Sequence, residues 1–183
     1  MMITVRDLIP EDLAAVTRIY EHYVLHGTAT FEEIPPSLAE MSERHEQVRA
    51  QGLPWLIAEA DGAVIGYAYA GLFHRRSAYR FTLEDSVYID PAHLRRGAGR
   101  ALATELIRRC EALGYRQMMA IIGDSANHGS VGLHKGLGFR LVGTYMKVGF
   151  KFGRWLDVVL MQRGLGEGAD TVPPGARAGI QAP

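Results

Sequence analysis

Cysteine is almost absent from this 183-residue chain. Cys110 stands alone, so neither an intrachain disulfide nor a cysteine-based zinc centre can be built. A reducing, cytoplasmic setting fits that scarcity. Net charge is lacking too: 20 Lys and Arg balance 20 Asp and Glu. That balance argues against a dedicated nucleic-acid binder. No stretch of apolar residues is long enough for a transmembrane helix, so no membrane partner is expected. The opening MMITVRDLIPEDL has no cationic segment ahead of an apolar run, so no secretory signal is expected. What is there is an ordinary globular composition, 48% hydrophobic, enough for one domain with its own core. At this length a second full domain is not expected.

Patterning divides the chain into alternating strands and helices. Residues 3–9 read as a short strand, and Pro10 opens a helix with Glu11 and Asp12 in its first turn. Leu13, Val16, Tyr20, Tyr23 and Val24 share one face of it. After a loop over 26–36, Ser37 and Glu40 form a capping box for a second helix, with Leu38, Met41, His45 and Val48 on its apolar face. Two strands, 54–60 and 63–72, are joined by Asp61-Gly62, a hairpin signal. A basic, aromatic connection (73–80) leads to a long strand over 81–89. A helix over about 98–113 turns Leu102, Leu106, Ile107, Cys110 and Leu113 inward, with Gly114 closing it. Cys110 on that apolar face reads as a buried structural thiol. A buried strand (118–123), a short helix (128–136) and two strands (139–149 and 155–162) joined by a loop with Gly153 complete the order. The sum is a mixed α/β sheet with one strand–loop–helix crossover. The domain is expected to span 1–163, and the Gly/Pro/Ala-rich stretch 164–183 to be a flexible tail.

Two segments carry chemistry. In the first, the strand FTLEDSVYI runs through DPAHL into RRGAGR and a helix. Gly97 and Gly99 permit a tight turn and close ligand approach, and free N–H groups at a helix start attract anions. Arg95, Arg96 and Arg100 add positive charge beside them. A glycine-containing helix entry is equally a plain turn, and neither a Walker A loop nor a full GxGxxG fingerprint is present. The second segment is DSANHGSVGLHKGLGF (124–139), where Asn127 is placed to cap the short helix.

Together these segments resemble the GNAT superfamily of acyl-CoA N-acyltransferases. That family orders a long strand, a Q/R-x-x-G-x-G/A loop, a helix, a further strand and an Asn-started helix ending in Gly-Phe. The loop here is Leu94-Arg95-Arg96-Gly97-Ala98-Gly99, with Leu94 in place of the usual Gln or Arg. The likeness spans residues 3–163. It is similar most of all to the phosphinothricin and methionine sulfoximine acetyltransferase subgroup. TATFEEIP (28–35), SAYRFTLEDSVYI (77–89), RRGAGRAL (95–102) and GFKFGRWLDV (149–158) carry it.

The resemblance implies a mostly antiparallel sheet with a splayed strand pair, acetyl-CoA as co-substrate, no metal, and a homodimer. Val87, Tyr88 and Ile89 would pair with the pantetheine arm as a strand does. Arg95, Arg96, Gly97, Ala98, Gly99 and Arg100 would cradle the pyrophosphate. Asn127 would meet the arm near the thiol, and Ser130 and Lys135 are further contacts to cofactor or substrate. Glu84 would be the general base, directly or through water. By strand alternation Glu84, Ser86 and Tyr88 share one face, with Leu83, Asp85, Val87 and Ile89 on the other. His134 would protonate the departing thiolate or relay protons to the amine; a packing role is the plain alternative. Arg75, Arg76 and Arg80 precede the catalytic strand, with Tyr79 among them, and one or two of the arginines would pair with a substrate anion, Arg76 matching the subgroup's segment best; solvated loop charges are the plain alternative. Phe31, Trp55 and Trp155 are candidates for the pocket wall, and Lys147 and Lys151 for its surroundings. The expected reaction is acetylation of a small amino acid analogue: phosphinothricin, methionine sulfoximine or methionine sulfone. Two rivals stay open: an acetyltransferase for a polyamine, aminoglycoside or protein N-terminus, and a non-catalytic acyl-CoA-binding module.

Overall fold

The computed structural model describes residues 2–173 and 175–176. Seven strands form one sheet: β1 (Thr4–Asp7), β2 (Trp55–Ala60), β3 (Ala63–Leu72), β4 (Thr82–Ile89), β5 (Gln117–Gly123), β6 (Arg140–Lys151) and β7 (Arg154–Gly164). Their order is β1-β2-β3-β4-β5-β7-β6. Every neighbouring pair is antiparallel except β4 and β5, the pair bridged by the crossover. Four α-helices flank it: α1 (Leu13–His26), α2 (Leu38–Ala50), α3 (Ala98–Ala112) and α4 (His128–Gly136).

Local signals set the joints. Ser37 Oγ accepts from the Glu40 N–H while the Glu40 carboxylate accepts from the Ser37 N–H, closing the expected capping box; such a cap contributes about 1 kcal/mol. Asp61 and Gly62 both have positive φ, 51° and 76°, the two-residue turn that matches strand twist. Phe152 and Gly153 repeat that arrangement, so β6 and β7 meet in a tight hairpin rather than a longer loop.

Alternation along the strands splits the core into two layers. Leu56, Ala58, Ala68, Ala70 and Leu83 pack with Leu102, Leu106 and Cys110 of α3. Trp55, Ile57 and Tyr67 face Val16, Ile19 and Tyr20 of α1 and Met41 of α2. The ends of several elements differ from the sequence expectation. Pro10–Asp12 form a single 3-10 turn, and the α-helix starts at Leu13. Leu38 and Leu113 are about half exposed. Leu38 lies in the first turn of a helix that buries only Met41 and His45, and Leu113 lies at the C-cap, past the helix body. The expected tail also begins later than residue 164. Leu165 is fully buried. Its N–H donates to the Arg116 carbonyl, and Arg116 donates to Thr171 Oγ1 at 3.0 Å. One anchoring leucine has no periodicity to betray it in a Gly-rich stretch. Residues 174 and 177–183 of the expected tail lie outside the described residues.

Candidate active site

The sheet opens into a fork at its centre. β4 and β5 pair only from Thr82–Gln117 to Asp85–Ala120, yet β4 continues to Ile89 and β5 to Gly123. β4 keeps its β3 partner throughout, as far as Gly66–Ile89. The hydrogen bonds show which backbone groups this leaves over. The Thr82 carbonyl and the Asp90 N–H bond towards β3, whereas the Phe81 carbonyl accepts from the Gln117 N–H. Odd-numbered residues of β4 therefore direct their N–H and C=O at β5. Past the fork, the N–H and C=O of Val87 and the N–H of Ile89 open into the gap. The Ile89 carbonyl is taken by the Tyr23 hydroxyl at 2.5 Å.

The gap leads to the start of α3. Its N-cap, Gly97, has φ of 92°, a conformation that strains any residue with a Cβ. The Ala101 N–H is the first to reach a carbonyl of this segment, that of Gly97 at 3.0 Å. The N–H groups of Ala98, Gly99 and Arg100 have no helical acceptor and, with the helix dipole, favour an anion. The resulting cleft holds about 560 Å³. Val87, Tyr88, Ile89, Arg95, Gly97, Ala98, Gly99, Arg100, Asn127, Ser130 and His134 all line it, as do Asp85 and Tyr23. Eleven residues singled out in sequence thus converge on one cleft. Arg96 is exposed and does not line it.

α4 faces the fork. Asn127 caps it, accepting from the Ser130 N–H at 3.1 Å, which leaves the Asn127 amide N–H groups for a ligand. His134 is buried. Its Nε2 lies 2.9 Å from Asp85 Oδ2 and its Nδ1 2.8 Å from the Ser130 carbonyl oxygen. Burial pulls the imidazole's proton affinity down, but Asp85 and the Ser130 carbonyl outweigh it, and the His134 pKa lies above its ordinary value. Asp85 is not among the site residues that the sequence motifs single out; its one signal is an acid on the strand face otherwise occupied by Leu83, Val87 and Ile89.

Glu84 lies on the other side of the sheet. Strand alternation turns it with Ser86 and Tyr88 towards the α1–α2 layer, opposite Gly71 on β3. It does not line the cleft and does not share a face with His134. The two faces communicate where β4 and β5 part, one residue beyond Glu84. The carboxyl is half-buried. Burial, then the neighbouring charge of Asp85, push its pKa above the usual carboxylate range. A carboxylate with raised basicity at the vertex of an open strand pair is equipped to take a proton.

Comparison with known proteins decides the family. The profile of the Acetyltransferase (GNAT) family matches residues 16–139. The chain belongs to the GNAT acetyltransferase family. A phosphinothricin N-acetyltransferase of Alcaligenes faecalis is 54% identical over 170 residues, spanning 93% of this chain and 86% of that protein. An L-methionine sulfoximine/L-methionine sulfone acetyltransferase of Salmonella typhimurium is 39% identical, spanning 91% and 96%. The crystal structure of a GNAT phosphinothricin acetyltransferase from Sinorhizobium meliloti in complex with AcCoA superposes with a TM-score of 0.93 at 50% identity, covering 96% of this chain and 95% of that one. This protein is an N-acetyltransferase with the GNAT fold, the mixed, splayed sheet that its motifs implied.

Other residues singled out in this GNAT enzyme lie apart from the cleft. Arg75, Arg76, Tyr79 and Arg80 are exposed on the connection before β4. Tyr79 packs on Phe73 and His74, and Arg80 lies over Phe81. Lys135 is exposed on α4 and outside the cleft. Trp55 is core, stacked on Tyr69 with ring centroids 4.3 Å apart, and Trp155 is exposed against Phe150. Lys147 is exposed. Phe31 takes a different position from a cleft wall: its ring presses on Gly149, where an added Cβ would come within 2.0 Å. Only glycine leaves room for it there. Lys151 is the larger surprise. It is 1% exposed, and its Nζ donates to the carbonyls of Tyr23, Gly27 and Thr30 at 3.3, 2.9 and 2.9 Å. It closes the C-terminal end of α1 and pins the loop that carries Phe31.

Proposed function

We propose that this enzyme transfers the acetyl group of acetyl-CoA to the primary amine of small amino acid analogues with an anionic or strongly polar side-chain group: phosphinothricin, methionine sulfoximine and methionine sulfone. Activity on phosphinothricin would make it a herbicide-resistance determinant. The observation that carries the reading is the fork itself. Unpaired groups on Val87 and Ile89 run into the free N–H groups at the head of α3, and a carboxylate stands at the vertex on the opposite face. The sequence likeness to the relatives named above supports the substrate class.

The residues fit acetyl-CoA in their chemistry. Val87 and Ile89 offer strand-like hydrogen bonds to an amide-bearing arm, Tyr88 lying between them. The turn from Arg95 to Arg100 offers N–H groups and guanidinium charge to a pyrophosphate. Asn127 and Ser130 lie along the arm's path towards the thioester. Acetyl-CoA supplies an electrophilic carbonyl; the enzyme must supply a free amine, since an ammonium has no lone pair. Glu84 takes that proton, directly or through water. Arg75, Arg76 and Tyr79, five to nine residues ahead of Glu84, and Phe31 on the loop held by Lys151 are the proposed substrate contacts, with Lys135 a more distant one. A reducing cytoplasm supplies the donor and keeps Cys110 as a thiol.

The reading is tested with a panel of amines and a free-thiol assay. Turnover is expected with the three amino acid analogues and not with polyamines, aminoglycosides or peptide N-termini. Acetylation of a peptide alone would overturn the substrate class, and tight acetyl-CoA binding without turnover of any amine would overturn the reaction.

We also propose a homodimer. β6 is an edge strand, and Leu141, Val142, Tyr145, Met146, Val148 and Phe150 along it are each more than half exposed. A row of apolar side chains on an open edge is a surface that association covers. Light scattering at micromolar concentration is expected to give twice the chain mass, and Tyr145→Asp with Met146→Asp the chain mass; a monomeric wild type would overturn this.

A further inference from the structure

His134 sits in a chain of three groups at the foot of the fork. Asp85 and His134 are paired with side chains 2% and 5% exposed. The Nδ1 atom of His134 lies 2.8 Å from the Ser130 carbonyl oxygen and 3.3 Å from Ser130 Oγ. A carbonyl has no proton to donate, so Nδ1 carries one. The partner of Nε2 is a carboxylate, which when ionised only accepts. The ring stands between two acceptors, and the imidazolium satisfies both. His134 is the one hydrogen-bond partner of the Asp85 carboxylate among the described residues; Asp85 Oδ1 is buried with none.

The surroundings leave this charge state to Asp85. On β4, Glu84 is turned to the other face, by alternation. α3 contributes the Cys110 thiol, pushed up to about 12 by burial and then by Asp85. α4 contributes Ser130, and Phe139 presents its ring edge-on at 4.9 Å. Ser130 and His134 both line the cleft, so the chain Asp85–His134–Ser130 ends on the space where a thioester would lie.

Resting on the acetyl-transfer reading above, we propose that Asp85, His134 and Ser130 form a proton relay to the sulfur that leaves the thioester. As the C–S bond breaks, the Ser130 hydroxyl gives its proton to sulfur. The Nδ1 proton of His134 replaces it on Ser130 Oγ. The ring is left neutral, its remaining proton on Nε2 and directed at Asp85. Thiolate and imidazolium have become thiol and imidazole, and His134 regains a proton from solvent before the next turnover. Asp85 is a positioning residue: it touches neither substrate, but holds the ring's orientation and charge.

The test reads the ring directly as well as the rate. In the full-length wild type, ¹⁵N NMR is expected to show both nitrogens of His134 protonated at neutral pH, and Asp85→Asn to move that titration to lower pH. Ser130→Ala, which keeps the N–H that Asn127 caps, is expected to lower kcat by about 10²-fold with acetyl-CoA KM within a few-fold. In Asp85→Asn the alkaline limb of kcat is expected to shift to lower pH, and Asp85→Glu to move it part of the way back. An active wild type with a neutral His134 ring would overturn the relay. So would folded Ser130→Ala and Asp85→Asn proteins with unchanged kcat and unchanged pH limb, which would make the chain a structural brace. An imidazolium in a wild type that acetylates no amine would overturn the acetyl-transfer reading instead.

Discussion

Glu84→Gln is expected to lower kcat by about 10²- to 10⁴-fold while leaving acetyl-CoA affinity near that of the wild type, because it removes a proton acceptor and no steric bulk. The pH profile carries the sharper signature. The Glu84 pKa is raised, by burial first and by Asp85 second. The wild-type rate should therefore rise with pH through a range above that of an ordinary carboxylate, and this limb should vanish in Glu84→Gln. Stability is expected to move the opposite way. A carboxyl with raised pKa holds its proton better in the folded than in the unfolded chain. Its contribution to stability is full below the unfolded value and is lost as pH rises through the folded one. At neutral pH the buried charge thus costs stability, and Glu84→Gln should melt at a higher temperature than the wild type. The gap should close in acid. Thermal melts at several pH values and initial rates over the same range check both; an unchanged kcat across pH would remove Glu84 from the chemistry.

The second large effect is expected at the anion cradle. Gly99 lines the cleft beside three N–H groups with no helical acceptor, and a Cβ there would meet Leu133 at 3.4 Å and Ile89 at 3.7 Å, ordinary contact distances. The protein itself can house a small side chain at this position, so Gly99→Val should fold. What it fills is the space in front of the helix start. Acetyl-CoA affinity is expected to fall by about 10²-fold or more, the loss of roughly two charge-assisted hydrogen bonds. Calorimetric titration measures it, with the melting temperature as the control. Tight binding by Gly99→Val would place the pyrophosphate elsewhere.

How far these sites were legible from sequence varies with their physics. The cap of α2, the Asp61-Gly62 turn and the Asn127 cap of α4 are contacts within four residues, so the pattern and the geometry agree. The two faces of β4 also follow from alternation alone. The Asp85–His134 pair joins residues 49 apart. It exists because β5 lies beside β4 and brings α4 back over that strand, which no periodicity encodes. The sequence offers Lys151 only as a residue near the pocket, and it is the closure of α1 against the end of β6 that makes it a buried donor to three carbonyls. Phe31 and the arginines before β4 had the residue types of a binding site, but a loop's path is set by what it packs on.

Short-range chemistry in the chain determined its elements, its glycine-bearing helix entry and the identity of its family. Long-range packing decided where β4 and β5 separate, and so which backbone groups go unpaired. It also decided that Glu84 and His134 approach from opposite faces of the sheet. The physical reason is that hydrogen bonds inside a helix or turn are specified by neighbours in sequence, whereas the gap in a sheet is specified by which strands fail to meet.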